Sequence, residues 1–167
     1  LDDQSQTLTK EGPGTLIFSG TAAFHSGQFN VNAGRCQLED AILNSSYVNV
    51  ASNATVAGNA TVVNLFVSPG GNVEPGMGGG LDINTEIALA IGSFLKAPFR
   101  LNGNNPQAGR IDLNGQLSSG NNLVGLEFIA TEPLVNFNGQ AFTLIRDVTG
   151  QVDSIPRLFV GVPEGGY

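Results

Sequence analysis

Residues 28–38 constrain this chain more than any other stretch of it. Gln28-Phe29-Asn30-Val31 alternates polar and apolar side chains, as a strand with one buried face must. Asn32-Ala33-Gly34 makes a turn, and Cys36 and Leu38 then resume the inward alternation. Just upstream, Thr15-Leu16-Ile17-Phe18 is a short apolar strand bracketed by Gly12, Gly14 and Gly20. A backbone that alternates, turns and alternates again lays down short strands joined by sharp corners. No window carries an apolar 3.6-residue period long enough to argue a helix. The best contender, residues 87–95 (IALAIGSFL), is apolar all round and broken by Gly92, and it reads as a buried strand pair.

The same shape recurs along the chain. Residues 31–34, 50–56 and 67–73 each run a β-branched residue into a turn of small and polar residues, with starts 19 and 17 residues apart. That interval suits one coil of a β-solenoid, in which each coil covers the apolar face of the next because none can bury its own. About seven coils fit the length at typical repeat sizes. Twenty-three glycines and 17 asparagines supply the left-handed backbone that sharp corners need. Asparagines at recurring turns are expected to stack in amide ladders. The chain therefore reads as a single all-β domain, a parallel β-helix (β-solenoid) over residues 8–167, preceded by a polar arm or cap at 1–7. Its inward residues are Leu16, Phe18, Phe29, Val31, Cys36, Leu38, Val48, Val50, Val56, Val62, Val67 and Val73.

Leu8, Lys10, Gly12, Gly14, Thr15, Leu16, Ser19, Gly20, Phe24, Gly27, Val31, Gly34 and Leu38 fall on a longer pattern. It runs L-x-K-x-G-x-G-T-L-x-L-S-G, then an aromatic, a glycine, V-x-x-G and an alternating apolar pair. On these residues the stretch resembles the autotransporter-associated β-strand repeat of large secreted bacterial passenger proteins. Phe18 and Cys36 stand where that family usually has Leu. Residues 54–83, through Gly70, Gly71, Pro75, Gly76, Gly80 and Leu81, are similar to a later part of the family pattern, and so are 110–115, 139–145 and 159–165. The resemblance implies a right-handed solenoid in an extracellular or cell-surface bacterial protein. Such passengers end in a membrane β-barrel, whose strands alternate over about ten residues each. No run of that kind is present, and the chain begins at Leu1 without a signal peptide. The expectation is a piece cut from a longer precursor, or a mature product exported by another route.

Charge excludes several partners. The net charge is −7 with a pI near 4.4, and the seven basic residues are scattered, which argues against nucleic acid and anionic membrane surfaces. No apolar run approaches the roughly 20 residues of a membrane-spanning helix. Cys36 is the sole cysteine, so the fold does not depend on an internal disulfide, and its place in the alternation makes it a core residue.

Chemistry-bearing constellations are sparse. His25, the sole histidine, lies in a Gly-bounded loop with no nucleophile or orienting acid at a recognisable spacing. Gly78-Gly79-Gly80-Leu81-Asp82 does not repeat as a calcium-loading β-roll would. Glu39 and Asp40 are adjacent, point to opposite faces if they lie on a strand, and read as a solvated corner. Arg110 and Asp112 share a strand face at i and i+2 and read as a surface pair worth under about 1 kcal/mol. Asn44-Ser45-Ser46, Asn53-Ala54-Thr55 and Asn59-Ala60-Thr61 match the glycosylation triplet by composition. Asn102-Gly103-Asn104-Asn105-Pro106 reads as an exposed loop.

No residue qualifies as catalytic, cofactor-binding or metal-binding, and no cofactor is expected. The expectation is a secreted or cell-surface structural or adhesive module without enzymatic activity, binding surface glycans or a host surface. The alternatives are an extracellular fibre subunit stacking end to end on copies of itself, and a polysaccharide-active β-helix enzyme.

Overall fold

The computed structural model describes residues 7–20, 27–43, 47–102, 105–119, 124–131, 143–149 and 159–160. Among them there is no helix, and fifteen strands, numbered along the chain, join into one sheet. The chain winds through three parallel ladders in turn. The first stacks β1 (Leu8–Lys10), β3 (Gln28–Val31), β5 (Tyr47–Val50), the end of β6 (Ala54–Val67), the end of β8 (Leu81–Leu89) and β12 (Gln116–Ser119). The second stacks β2 (Thr15–Ser19), the start of β4 (Gly34–Leu43), the start of β6, β7 (Asn72–Pro75), β9 (Phe94–Asn102), β13 (Val124–Ala130) and β15 (Phe159–Val160). The third stacks the end of β4, the middle of β6, the start of β8, β11 (Ile111–Leu113) and β14 (Ile145–Asp147). This is a parallel β-solenoid with about four full turns in the described residues. Of the expected arm at 1–7, only Thr7 lies among them.

Register explains the core. Leu16, Cys36, Val56, Val73, Leu95 and Leu126 form one inward column, and Val31, Val50, Val67 and Leu89 another. Ten of the twelve residues read as inward are buried. Leu16 and Phe18 are half-buried against the same core, because β2 is paired on one side only among the described residues. Phe18 meets Phe29 edge to face at 5.4 Å between ring centres. Each fully buried Val or Leu contributes about 1.5–3 kcal/mol, which is how such polar turns are held in place. Residues 87–95 are indeed two strands, with Ile87, Leu89 and Leu95 buried on either side of an exposed turn at Ile91 and Gly92.

Two of the corners differ in kind. Between the first and second ladders, four residues separate Lys10 from Thr15, Val50 from Thr55, Val67 from Asn72 and Leu89 from Phe94, while three separate Val31 from Arg35 and five separate Ser119 from Gly125. Backbone bonds tie this corner from turn to turn: Asn53 N donates to Gly70 O at 2.9 Å, and Gly70 N to Gly92 O at 2.8 Å. Between the second and third ladders the connection varies. Beyond the paired Leu38, Gly58 and Pro75, it is Glu39-Asp40 in one turn, where the φ of 51° at Asp40 and a register shift mark a bulge. It is Asn59 in the next turn, then residues 76–80, and then an excursion in which β9 runs on and folds back as β10 (Asn105–Ala108). Asn59 Oδ1 accepts Gly80 N at 2.9 Å, stitching the longer loop to the shorter one. Gly58, at φ 103°, faces the Leu38 carbonyl so closely that a Cβ would collide with it.

Two expectations are corrected. The loop read at 102–106 is mostly hairpin: Asn102 ends β9 and Asn105-Pro106 begin β10, because the cross-strand pairing extends through Pro106 with Leu101 to Asn105 with Asn102. The amide stacking read for the turns is found on a flat strand face, where Asn49 Nδ2 donates to Asn30 Oδ1 at 2.8 Å. At the corners the amides take other partners: Asn32 Nδ2 donates to Glu11 Oε1 at 2.6 Å, and Asn72 Nδ2, at the start of β7, to the Ala54 carbonyl at 3.1 Å.

Candidate functional site

The outward side of the third ladder carries the densest charge. Thr61, Asp82, Asp112 and Arg146 are stacked there in register. Arg110, just before β11, brings its guanidinium to the same carboxylate. It donates from Nε to Asp112 Oδ1 at 2.7 Å and from Nη2 to Oδ2 at 2.9 Å. Arg146 repeats the fork from the next turn, at 2.9 Å and 2.7 Å. Asp112 is left only 6% exposed, so the reading of a surface pair fails. The second arginine, 34 residues along the chain, covers it. Burial alone would push the Asp112 carboxyl up. The hydrogen bonds and positive charges of Arg110 and Arg146 outweigh that and hold it below the usual carboxylate range. A carboxylate locked in this way stays ionised near neutrality and is a poor proton carrier.

On the second ladder, Arg35 donates to Glu74 through both terminal nitrogens, each at 2.8 Å, and through Nε to Gln37 at 3.1 Å. Lys96 and Glu127 pair more loosely at 3.5 Å. Exposed Phe94 and Phe128 lie on this ladder.

The first ladder presents a different surface. Thr9, Asn30, Asn49, Phe66, Ala88 and Ser118 form one outward row. Gln28 and Tyr47 are paired in the adjacent row, as are Asn64, Glu86 and Gln116. Tyr47 is 42% exposed and leans on Phe66, with 5.5 Å between ring centres. Glu86 is the sole charged residue among these eleven positions, and its Oε1 accepts the Ser118 hydroxyl at 2.6 Å.

Inward, Lys10 occupies the position held by Val31 one turn on, and it is buried. Its ammonium donates to three backbone carbonyls, Glu11 at 2.8 Å, Gly12 at 2.7 Å and Ala33 at 3.1 Å, which satisfies all of its protons. The signal was in the sequence, since Lys10 shares the alternation phase of Leu8. Cys36 is buried, as read, and burial pushes its thiol up to about 12 against a small opposing pull from Lys10.

Glu39 and Asp40 are both exposed at a corner, because the bulge at Asp40 breaks the strict alternation that would have opposed them. Asn53 is exposed, and Asn59 is half-buried and engaged with Gly80. His25 and Asn44-Ser45-Ser46 lie outside the described residues. Among the described residues, no group of three or more His, Cys, Asp or Glu gathers to hold a metal, and no helix is long and apolar enough to cross a membrane.

Residues 8–36 match the family model of the passenger-associated-transport-repeat, over β1, β2, β3 and the start of β4. The repeat resemblance therefore holds for that segment. No curated protein and no solved structure matches the chain.

Proposed function

We propose that this protein is a secreted or cell-surface structural and adhesive module, a β-solenoid of the autotransporter-passenger kind that performs no catalysis. The observation that carries this reading is the repeat at residues 8–36 continued in register through β6, β8 and β9. A repeat of this kind stabilises only by stacking, so its natural product is an elongated presenter of flat faces. The state of the chemistry-bearing groups supports the non-catalytic part. Asp112 is held ionised between two arginines, and the Cys36 thiol is buried and far from its reactive form. Antibody labelling of intact source cells tests the reading. Surface signal removed by external protease is the expected result, and signal appearing only after permeabilisation would refute it.

End-to-end stacking is the second reading. Among the described residues β1 and β2 are each paired on one side only, and Leu8 of β1, in register with the buried Phe29, is exposed. Open strand edges of this kind template further strands. Negative-stain microscopy over a range of concentrations should then show filaments, whereas isolated short rods at every concentration would remove this reading.

A further inference from the structure

The first ladder points to a ligand class. We propose that its outward face is a binding platform for neutral glycan chains, centred on Tyr47 and the Asn30–Asn49 amide pair; this rests on the surface-module reading above. The ion pairs lie on the other two ladders, and the outward rows of the first carry one charge, Glu86. The ion pairs Arg35–Glu74 and Lys96–Glu127 lie on the second ladder, and the Arg110–Asp112–Arg146 cluster lies on the third. From β3 to the end of β6, the first ladder instead presents Gln28, Asn30, Tyr47, Asn49, Asn64 and Phe66, without one formal charge.

Neutral pyranoses match that face term by term. Each sugar hydroxyl both donates and accepts, and so does each carboxamide. The Asn49-to-Asn30 bond orients both amides, leaving the Asn30 amino group and the Asn49 carbonyl oxygen for a ligand. The exposed ring of Tyr47, braced by Phe66, offers an apolar face for the C–H side of a sugar ring. Adjacent rungs are about 4.8 Å apart, so the ring pair and the amide pair each span neighbouring rungs of one flat sheet. A flat face of this kind suits a polymer lying along it, whereas small molecules are held in enclosed pockets. The overall negative charge disfavours acidic polysaccharides.

Native affinity electrophoresis of the purified chain tests this, in gels containing hydroxyethyl cellulose, glucomannan, galactomannan or dextran, with polygalacturonate as the acidic comparison. At least one neutral polymer should retard the protein. Tyr47→Ala should weaken that retardation about tenfold, the scale of losing one central aromatic anchor. Asn49→Ala should weaken it too, while Tyr47→Phe keeps most of it and Glu127→Gln, on the second ladder, changes nothing. Circular dichroism and thermal midpoints confirm that the compared variants are folded. Retardation by no neutral polymer, retardation by polygalacturonate alone, or wild-type retardation of folded Tyr47→Ala and Asn49→Ala would each overturn the proposal. Failure here together with surface labelling of cells would sink the glycan platform and leave the module reading standing.

Discussion

Arg35 holds both carboxylate oxygens of Glu74 at 2.8 Å across an intervening strand. The rung between them places Thr55 beside Arg35 and Ala57 beside Glu74, and the small side chain of Ala57 leaves room for the guanidinium to cross. Three successive turns are thereby clipped on their outer side. Both side chains are partly exposed, at 35% and 21%, so water screens the pair. A double-mutant cycle of Arg35→Ala and Glu74→Ala should give a coupling of about 1 kcal/mol at low salt. In about 1 M salt the coupling should shrink. An undiminished coupling would mean that the contact is packing and not charge.

Asp112 behaves differently because it is covered. Asp112→Asn should lower stability by about 1–3 kcal/mol near neutral pH, the usual scale for hydrogen bonds to charged groups. The folded-state pKa is depressed, so this stability is present above the unfolded value, about 3.9, and is lost as pH falls through the lower folded value. The difference in Tm between wild type and Asp112→Asn should therefore be full at about pH 6 and close below about pH 4. A difference unchanged into that acid range would assign the stabilisation to something other than the ionised carboxylate.

Val50 and Val67 sit in one inward column and are buried to within 2%. Val50→Asp or Val67→Asp places a carboxylate among apolar neighbours, at least two rungs from Lys10, whose ammonium is already committed to three backbone carbonyls, and should cost about 3–5 kcal/mol. Urea titration followed by circular dichroism reads this directly. Unchanged midpoints would mean that the face assignment is inverted.

Gly58 and Gly14 offer a matched comparison. A Cβ at Gly58 meets the Leu38 carbonyl at a φ that L-residues avoid, whereas a Cβ at Gly14 meets nothing. Gly58→Ala should cost about 1–3 kcal/mol or more, as strained backbone does. Gly14→Ala should be neutral or stabilise by up to about 1 kcal/mol through the unfolded chain. Equal thermal midpoints for the two variants would contradict the close approach of β4 and β6.

Cys36 should resist alkylation in the native protein at about pH 8, where a thiol pushed up to about 12 is almost wholly protonated and sealed from solvent. Iodoacetamide with mass spectrometry should label it only in denaturant. Rapid native labelling would show that the turn carrying Cys36 opens readily.

How much was legible follows from how local the signal is. Phe29, Val31, Cys36 and Leu38 announce themselves by alternation within one strand, and each is buried. The spacing of residues 31, 50 and 67 gave the winding, because Val31, Val50 and Val67 are in register one above the next. Arg146 over Asp112 was not legible. Their separation, 34 residues, exceeds the 17 to 19 of the regular coils, because more chain lies between Ala130 of the second ladder and Ile145 of the third. Tyr47 and Asn49 were half legible: their phase in Tyr47-Val48-Asn49-Val50 puts both outward, but only stacking reveals Phe66 and Asn30 beside them.

The two unlike corners divide the molecule's tolerance of change. Three to five residues join the first ladder to the second, while the passage to the third grows from Glu39-Asp40 or Asn59 to residues 76–80 and then to the β9–β10 hairpin. Length added at the first corner would displace backbone bonds such as Asn53 to Gly70 and Gly70 to Gly92. Length added at the second leaves the ladders in phase, since Ile111 still lies on Leu81 after the hairpin has come and gone. One long edge of the solenoid is thus open to grafting, by evolution or by design, and a foreign peptide placed between β9 and β10 would be displayed there without altering the stacking beneath it.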